Sequence, residues 1–326
     1  MKENMYWTQT HATGGITLGN TVVKLARSGW MLIRFIAVIS SSIVVVLSSL
    51  LPFLLYTSVP FSDLLFTFLL LSMTAVLFHG VLTHLFNDHT DHLTGTDAKS
   101  PAQLSGGSRV IQQGLLLPKE MWKLGKWLTI AMTIVAAFFA IFGRYDLTIF
   151  ILVGIWAATS YSLSPFRLSY RPFLGEWLSL FPALFTLGIA GPWLVSETLP
   201  VWAIQNAFMN SLICMSWVMV HHMPDVEADR QAIPKKRTTV VWFKEKFGLQ
   251  STRMPALLYL ILSGLGAIWI GFERIAAAAI VFVLILFAMY FVVTMNPEKV
   301  HQITKYEKYL LILAILIAVV LGVFVS

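Results

Sequence analysis

Long apolar stretches alternate with short polar ones along this chain, and they are too long to be buried strands or the helices of a soluble core. Crossing about 30 Å of hydrocarbon at 1.5 Å per residue takes roughly 17 to 25 apolar residues. On that measure the pattern predicts nine membrane-spanning helices, over residues 29–55, 64–86, 127–143, 147–163, 174–195, 200–222, 254–271, 275–295 and 308–326. Only two polar connections are long, 87–126 and 223–253, and both follow helices that run in the same direction, the second and the sixth. Four helices separate them, which suggests two parallel four-helix halves with a ninth helix appended. The fifth helix carries Pro182, Gly188, Gly191 and Pro192, and these predict a bend.

Composition agrees with this reading. A chain of 326 residues that is 57% hydrophobic and 12% charged lies outside the soluble globular range, so its length counts spans of one membrane domain, 1–326. The polar, Thr-rich first 28 residues hold no short apolar stretch followed by a small-residue cleavage site, so the first helix is expected to stay as an anchor. Placing the amino terminus in the cytoplasm puts all of the 23 Lys and Arg except Arg144 and Arg274 on that side, as the positive-inside rule expects. The net charge of +7 then follows from topology and needs no nucleic acid. Cys214, the single cysteine, sits in the sixth span, where it is expected to serve packing.

Two acidic clusters break the apolar pattern. Asn87-Asp88-x-x-Asp91 runs on to Asp97, and Asp225-x-x-x-Asp229 follows the sixth span; each begins just past the end of a long apolar run. Asp88 and Asp91 are i,i+3 and Asp225 and Asp229 are i,i+4, so helical continuations would present each pair on one face. Carboxylates at the edge of a bilayer resist burial unless a cation compensates them, and five on one face suggest a divalent ion. Hard oxygen ligands point to magnesium, which shares its coordination with water and phosphate oxygens; the expected guest is a phosphorylated substrate. Lys99 and Arg109 after the first cluster, and Lys235, Lys236 and Arg237 after the second, supply cationic donors, with Arg109 and Lys236 the strongest candidates. The run Ser105-Gly106-Gly107-Ser108-Arg109 offers backbone amides of the kind that cradle phosphate.

Asn87-Asp88-His89-Thr90-Asp91 through Asp97, with Asp225-Val226-Glu227-Ala228-Asp229-Arg230, resembles the UbiA superfamily of intramembrane prenyltransferases. Gly95-Thr96-Asp97, the stretch from Tyr161 to Pro165, Leu168-Ser169-Tyr170-Arg171 and Leu174-Gly175-Glu176 look most like its 1,4-dihydroxy-2-naphthoate polyprenyltransferases. The resemblance implies an all-α, nine-helix bundle around a central cavity under a cytoplasmic cap, in a bacterial plasma membrane. It implies that Asp88, Asp91, Asp97, Asp225 and Asp229 hold magnesium on a polyprenyl diphosphate, with Asn87, Arg109, Tyr161, Arg167, Lys235 and Lys236 around the phosphates. The prenyl group would pass as an allylic carbocation to an aromatic acceptor, as in menaquinone-type quinone biosynthesis. His221-His222-Met223-Pro224 departs from the family pattern, which has an Asn-rich segment with an Arg there, and Ile233-Pro234 interrupts the run into the basic segment.

Three rivals remain at this stage. Histidines 79, 84, 89, 92, 221 and 222 would suit iron or zinc, although five carboxylates suit a harder cation. An ion-coupled transporter also carries acidic residues in repeated halves, but its sites lie near the bilayer midplane rather than at helix ends. A membrane terpene cyclase of the same fold would ionise the same diphosphate without an acceptor.

Overall fold

The computed structural model describes residues 28, 29, 31, 38–101 and 107–325, which are built from helices with no strand among them. Lys24, Arg27 and Arg34, the start of the first expected span, and Ser105-Gly106 lie outside the described residues. After a π turn at Ile39–Ile43 comes α1 (Val44–Tyr56). The next helix, α2 (Phe61–Ala75), runs through a π-helical stretch, Val76–Thr83, into α3 (His84–Thr94), and the short α4 (Thr96–Lys99) follows. Then come α5 (Pro118–Ile141), α6 (Tyr145–Ser162), α7 (Phe181–Ser196), entered through a π turn at Glu176–Leu180, and α8 (Val201–His221). A 3-10 turn, Met223–Asp225, and α9 (Val226–Arg230) prolong α8; beyond them lie α10 (Thr239–Phe247), α11 (Met254–Gly271), α12 (Ile275–Thr294) and α13 (Val300–Val323).

Among the described residues, 7 helices are long and apolar enough to cross a membrane, against the nine expected. The described part of the first apolar run, Ser41–Tyr56, is shorter. The α6 helix opens on Tyr145-Asp146 and closes on Thr159-Ser160-Tyr161-Ser162, which thins its apolar content. Two rods stand out: Phe61–Thr94 runs unbroken for 34 residues and Val201–Arg230 for 30, and each ends in an acidic motif.

The helices sort by what surrounds them. In α12 the buried positions are Ala277, Val281, Ile285, Ala288 and Val292, a stripe at helical spacing, while Phe282, Leu286 and Phe287 between them are exposed. A soluble helix would carry polar residues on that outer face, and apolar ones there mark contact with lipid. The central helix is α8, buried along most of its length and packed on α1, α7, α11 and α13. At its crossing with α7 there is no room for a side chain, because a Cβ on Gly188 would lie 2.7 Å from the Ala207 Cβ. The glycine at that position therefore serves a close crossing of small residues, the packing device of membrane helices, rather than only the expected bend. Between α2, α3, α6, α7 and α8 lies a cavity of about 240 Å³, a little under the usual size of a small-molecule site. Its depth is walled by Leu71, Phe78, Phe150, Leu184 and Leu187, and its other end by the two acidic motifs.

Candidate active site

The apolar rod α2 turns polar at α3 without ceasing to be helical, so its side chains keep helical spacing as they leave the hydrocarbon. Asn87 and Asp91, four apart, share a face: Asn87 Nδ2 donates to Asp91 Oδ2 at 3.0 Å, and the Ser162 hydroxyl at the end of α6 donates to Asn87 Oδ1 at 3.2 Å. Asp88 lies a third of a turn away and meets the following loop instead. There the Ser108 N–H donates to Asp88 Oδ2 at 3.0 Å, and the Ser108 hydroxyl donates to the same oxygen. The loop comes this close because residue 107 is glycine. Its φ is +70°, and a Cβ would sit 3.0 Å from Asp97 Oδ1 and 3.3 Å from Asp88 Oδ1. Asp97, on α4, accepts from Gln112 Nε2 at 3.0 Å.

The second motif closes on the first. Ser100 donates its hydroxyl to Asp225, the Ile233 N–H donates to the Thr94 carbonyl at 3.0 Å, and α9 packs on α4. Lys236 reaches back from the following loop: its Nζ donates to Asp91 at 3.0 and 2.9 Å and lies 3.6 Å from Asp229 Oδ1. Burial alone would lower the Lys236 ammonium, but Asp229 and Asp91 outweigh it and raise it well above the usual lysine range. Asp97 is pushed up to about 7, chiefly by burial and then by the charges of Asp91 and Asp88.

One cation thus faces an excess of buried carboxylate. Asp229 Oδ1 is buried and accepts no hydrogen bond of normal length among the described residues, the Lys236 ammonium lying 3.6 Å away, so it can take a further cation. No three His, Cys, Asp or Glu side chains among the described residues converge closely enough to grip a metal by themselves. That donor set suits magnesium, which takes one or two protein carboxylates and completes its shell with water and substrate phosphates.

The cavity gathers Asn87, Asp91, Asp97, Tyr161, Asp225, Asp229 and Lys236 from the residues expected at the site. The structure places others elsewhere. Lys235 is not part of it: its ammonium is half exposed and ion-paired with Glu245 at 2.6 Å, with Arg237 on the other oxygen of the same carboxylate. Arg109 turns its guanidinium to the carbonyls of Asp97, Ser100 and Pro101, at 2.7, 3.0 and 3.0 Å, and so braces the loop rather than facing the cavity. Arg167 lies over the Tyr170 ring at 5.5 Å, outside the cavity wall. The Ser108 amide, expected to cradle phosphate, is spent on Asp88.

A family model described as the UbiA prenyltransferase family matches residues 42–313, most of the chain. The chain belongs to the UbiA prenyltransferase family. Two solved structures of a UbiA homolog from Archaeoglobus fulgidus share its fold. One, bound to GPP and Mg2+, has a TM-score of 0.61, and the other, bound to DMAPP and Mg2+, has 0.58; each is 14% identical and covers 91% of this chain and 99% of its own. No curated protein matches at the level of sequence. Membership makes this chain a prenyltransferase built on a UbiA-like helical bundle with apolar membrane spans.

Several polar contacts of this UbiA chain escaped the sequence reading. Ser100, Ser108 and Gln112, which orient three of the five aspartates, sit in a loop without periodicity. Glu307 is 1% exposed on α13 and pairs with His221 at 2.7 Å across 86 residues. Its one visible signal is that it is the single carboxylate of α13, between Lys305 and Lys308.

Proposed function

We infer that this prenyltransferase moves a polyprenyl group from a polyprenyl diphosphate to an aromatic acceptor of the 1,4-dihydroxy-2-naphthoate type, a step of quinone biosynthesis. One observation carries the reading: both acidic motifs and Lys236 meet at one end of a cavity whose deeper walls are largely apolar. A diphosphate fits the first part and an isoprenoid tail the second. Asp91, Asp97, Asp225 and Asp229, with Asp88 from the adjoining loop contact, are the residues that would hold magnesium. Bound there, the metal would supply positive charge to the departing diphosphate.

The chain's own residues do the rest. Lys236 offers an ammonium to the phosphate oxygens, and the low-dielectric wall around it strengthens that charge. Asn87 and Ser162 hold the Asp91 carboxylate in register. Breaking the bond between C1 and the diphosphate oxygen leaves both electrons on the diphosphate and an allylic cation on the tail. The apolar walls keep water from that cation until an aromatic carbon attacks it and the ring loses a proton. The basic residues cluster at the acidic end, which supports a cytoplasmic face for the site.

The test is turnover by the purified full chain with geranylgeranyl diphosphate and magnesium, with and without 1,4-dihydroxy-2-naphthoate, products being read by mass spectrometry. A prenylated naphthoate that disappears with EDTA is expected. A cyclic hydrocarbon formed without acceptor would instead assign a cyclase, and diphosphate crossing the membrane intact would assign a carrier.

A further inference from the structure

The start of α5 carries a charged face that the active site leaves unused. Lys119, Lys123 and Lys126 stand four and three residues apart, so helical spacing sets them in one stripe about 10 Å long. All three are exposed, and none of their ammoniums is paired among the described residues. Glu120, the one carboxylate of α5, is engaged at the helix start, where it accepts the Leu117 N–H at 2.7 Å. A cation in the first turn meets the positive end of the helix dipole, so the fold gains nothing from Lys119. The positive-inside rule asks for charge on one face of the membrane but not for its alignment.

The stripe ends where hydrocarbon begins. Farther along the same line come Ile130, Ile134 and Ile141, all exposed in the manner of lipid-facing side chains. The opposite side of α5 is buried, through Met121, Gly125 and Ala136. Trp122 and Trp127 flank the lysines, 41% and 66% exposed, as indoles do at the level of headgroups. Here α5 is clasped to the first acidic motif. His89 Nδ1 donates to the Pro118 carbonyl at 2.9 Å, the His89 ring stacks on Trp122 at 5.5 Å, and a Cβ on Gly125 would lie 2.7 Å from the Phe86 ring. The lysines thus start level with Asp88 and Asp91, on the membrane face that carries both motifs. Yet no residue of α5 lines the cavity, so they are not ligands of a diphosphate held there.

A stripe of positive charge continuous with a lipid-facing surface fits an occupant with an anion at headgroup level and hydrocarbon below it. We propose that Lys119, Lys123 and Lys126, between Trp122 and Trp127, bind an anionic phospholipid of the leaflet that holds the active site. Its phosphate oxygens meet the ammoniums, and its acyl chains run along Ile130 and Ile134. A zwitterionic lipid carries its own cation beside the phosphate and brings no net charge to the stripe, so the face discriminates by headgroup. The bound lipid braces the helix that packs behind Asp88 and Asp91. The assignment is independent of which acceptor the enzyme prenylates.

The test measures binding of short-chain phosphatidylglycerol to the purified full chain in neutral detergent, beside phosphatidylcholine of the same chain length, inorganic diphosphate and geranylgeranyl diphosphate. Phosphatidylglycerol is expected to bind at least tenfold more tightly than phosphatidylcholine, and the preference should fall as salt rises. Each lysine contributes about fivefold, so combining Lys119→Gln, Lys123→Gln and Lys126→Gln is expected to abolish the preference, while arginine at the same three positions keeps it. Lys246→Gln, at an exposed lysine of α10 outside the stripe, should leave it unchanged. Melting temperatures of the variants in phosphatidylcholine report intact folding. Equal affinity for the two headgroups, a preference that survives the triple glutamine variant, or one lost equally on Lys246→Gln would each overturn the proposal. Tighter binding of inorganic diphosphate at the lysines would assign the stripe to dissolved anions, and tighter binding of geranylgeranyl diphosphate there would make it a collecting face for substrate; either result overturns the phospholipid assignment.

Discussion

Lys236 and Asp91, 145 residues apart, are joined by two hydrogen bonds of 3.0 and 2.9 Å, so the loop after the second motif supplies the cation of the first. Removing one partner of a buried ion pair leaves the other charge uncompensated, which destabilises by about 3 to 5 kcal/mol. Lys236→Met is therefore expected to lower kcat/KM for the diphosphate by roughly a hundredfold or more and to lower the melting temperature. Its neighbour provides the control. Lys235→Met removes only an exposed pair with Glu245, worth about 0 to 1 kcal/mol, and should leave turnover within about twofold. Similar losses in both variants would contradict the placement of these two side chains.

Asp97 gives the site a pH signature. Its carboxyl rises from an ordinary 3.8 to about 7, so the folded chain keeps a proton there that the unfolded chain releases. The stability this group contributes is complete below about pH 4 and is lost as pH climbs through about 7. Metal-free protein is expected to melt at progressively lower temperature from pH 5 to pH 8. Magnesium, which selects the anion, should raise the melting temperature more at pH 8 than at pH 6. Thermal melts of Asp97→Asn should show a shallower slope; a slope as steep as that of the parent protein would assign it to another group.

Gly107 is the third site of prediction. Its left-handed backbone costs a residue with a Cβ roughly 1 to 2 kcal/mol, and the new methyl would press on Asp97 and Asp88. Gly107→Ala is expected to weaken magnesium dependence, seen as a higher metal concentration for half-maximal activity, with a smaller effect on the acceptor KM. An unchanged metal requirement would show that the loop can retreat without consequence.

Asp88→Ala and Asp229→Ala are expected to abolish turnover while folded protein remains in the membrane. They should differ in a second respect. Asp88 ties down the loop at Ser108, so its loss should also increase proteolysis of that loop, whereas Asp229, with an oxygen that accepts no hydrogen bond of normal length, should not. Activity retained by either variant would remove that residue from the proposed metal site.

The sequence revealed most where periodicity applies. Apolar runs placed spans at 64–86 and 200–222, inside the rods Phe61–Thr94 and Val201–Arg230, but the stretches from 87 and from 223 read as polar connections, and the helix that runs on to Thr94 had no sign beyond the i,i+3 spacing of Asp88 and Asp91. Where the chain leaves regular structure, spacing stops predicting direction. Nothing local distinguishes Lys235 from Lys236, yet one faces water and the other two carboxylates. Arg109 looked like a phosphate ligand by proximity to the motif, but the carbonyls of its own loop lay nearer. The π-helical register that pairs His79 with His84, and the contact between His221 and Glu307, depend on tertiary packing and leave no mark at short range.

The length of α2 and α3 together carries a final consequence. Thirty-four residues make a rod of about 50 Å, while the hydrocarbon layer is about 30 Å thick, so some 20 Å must stand clear of it. A lipid with a soluble head and an insoluble tail can then dock without leaving its own leaflet, its head climbing the protruding part as its tail follows the same pillar downward. Delivery becomes a two-dimensional search, governed by how crowded the leaflet is rather than by how much of the lipid dissolves in water.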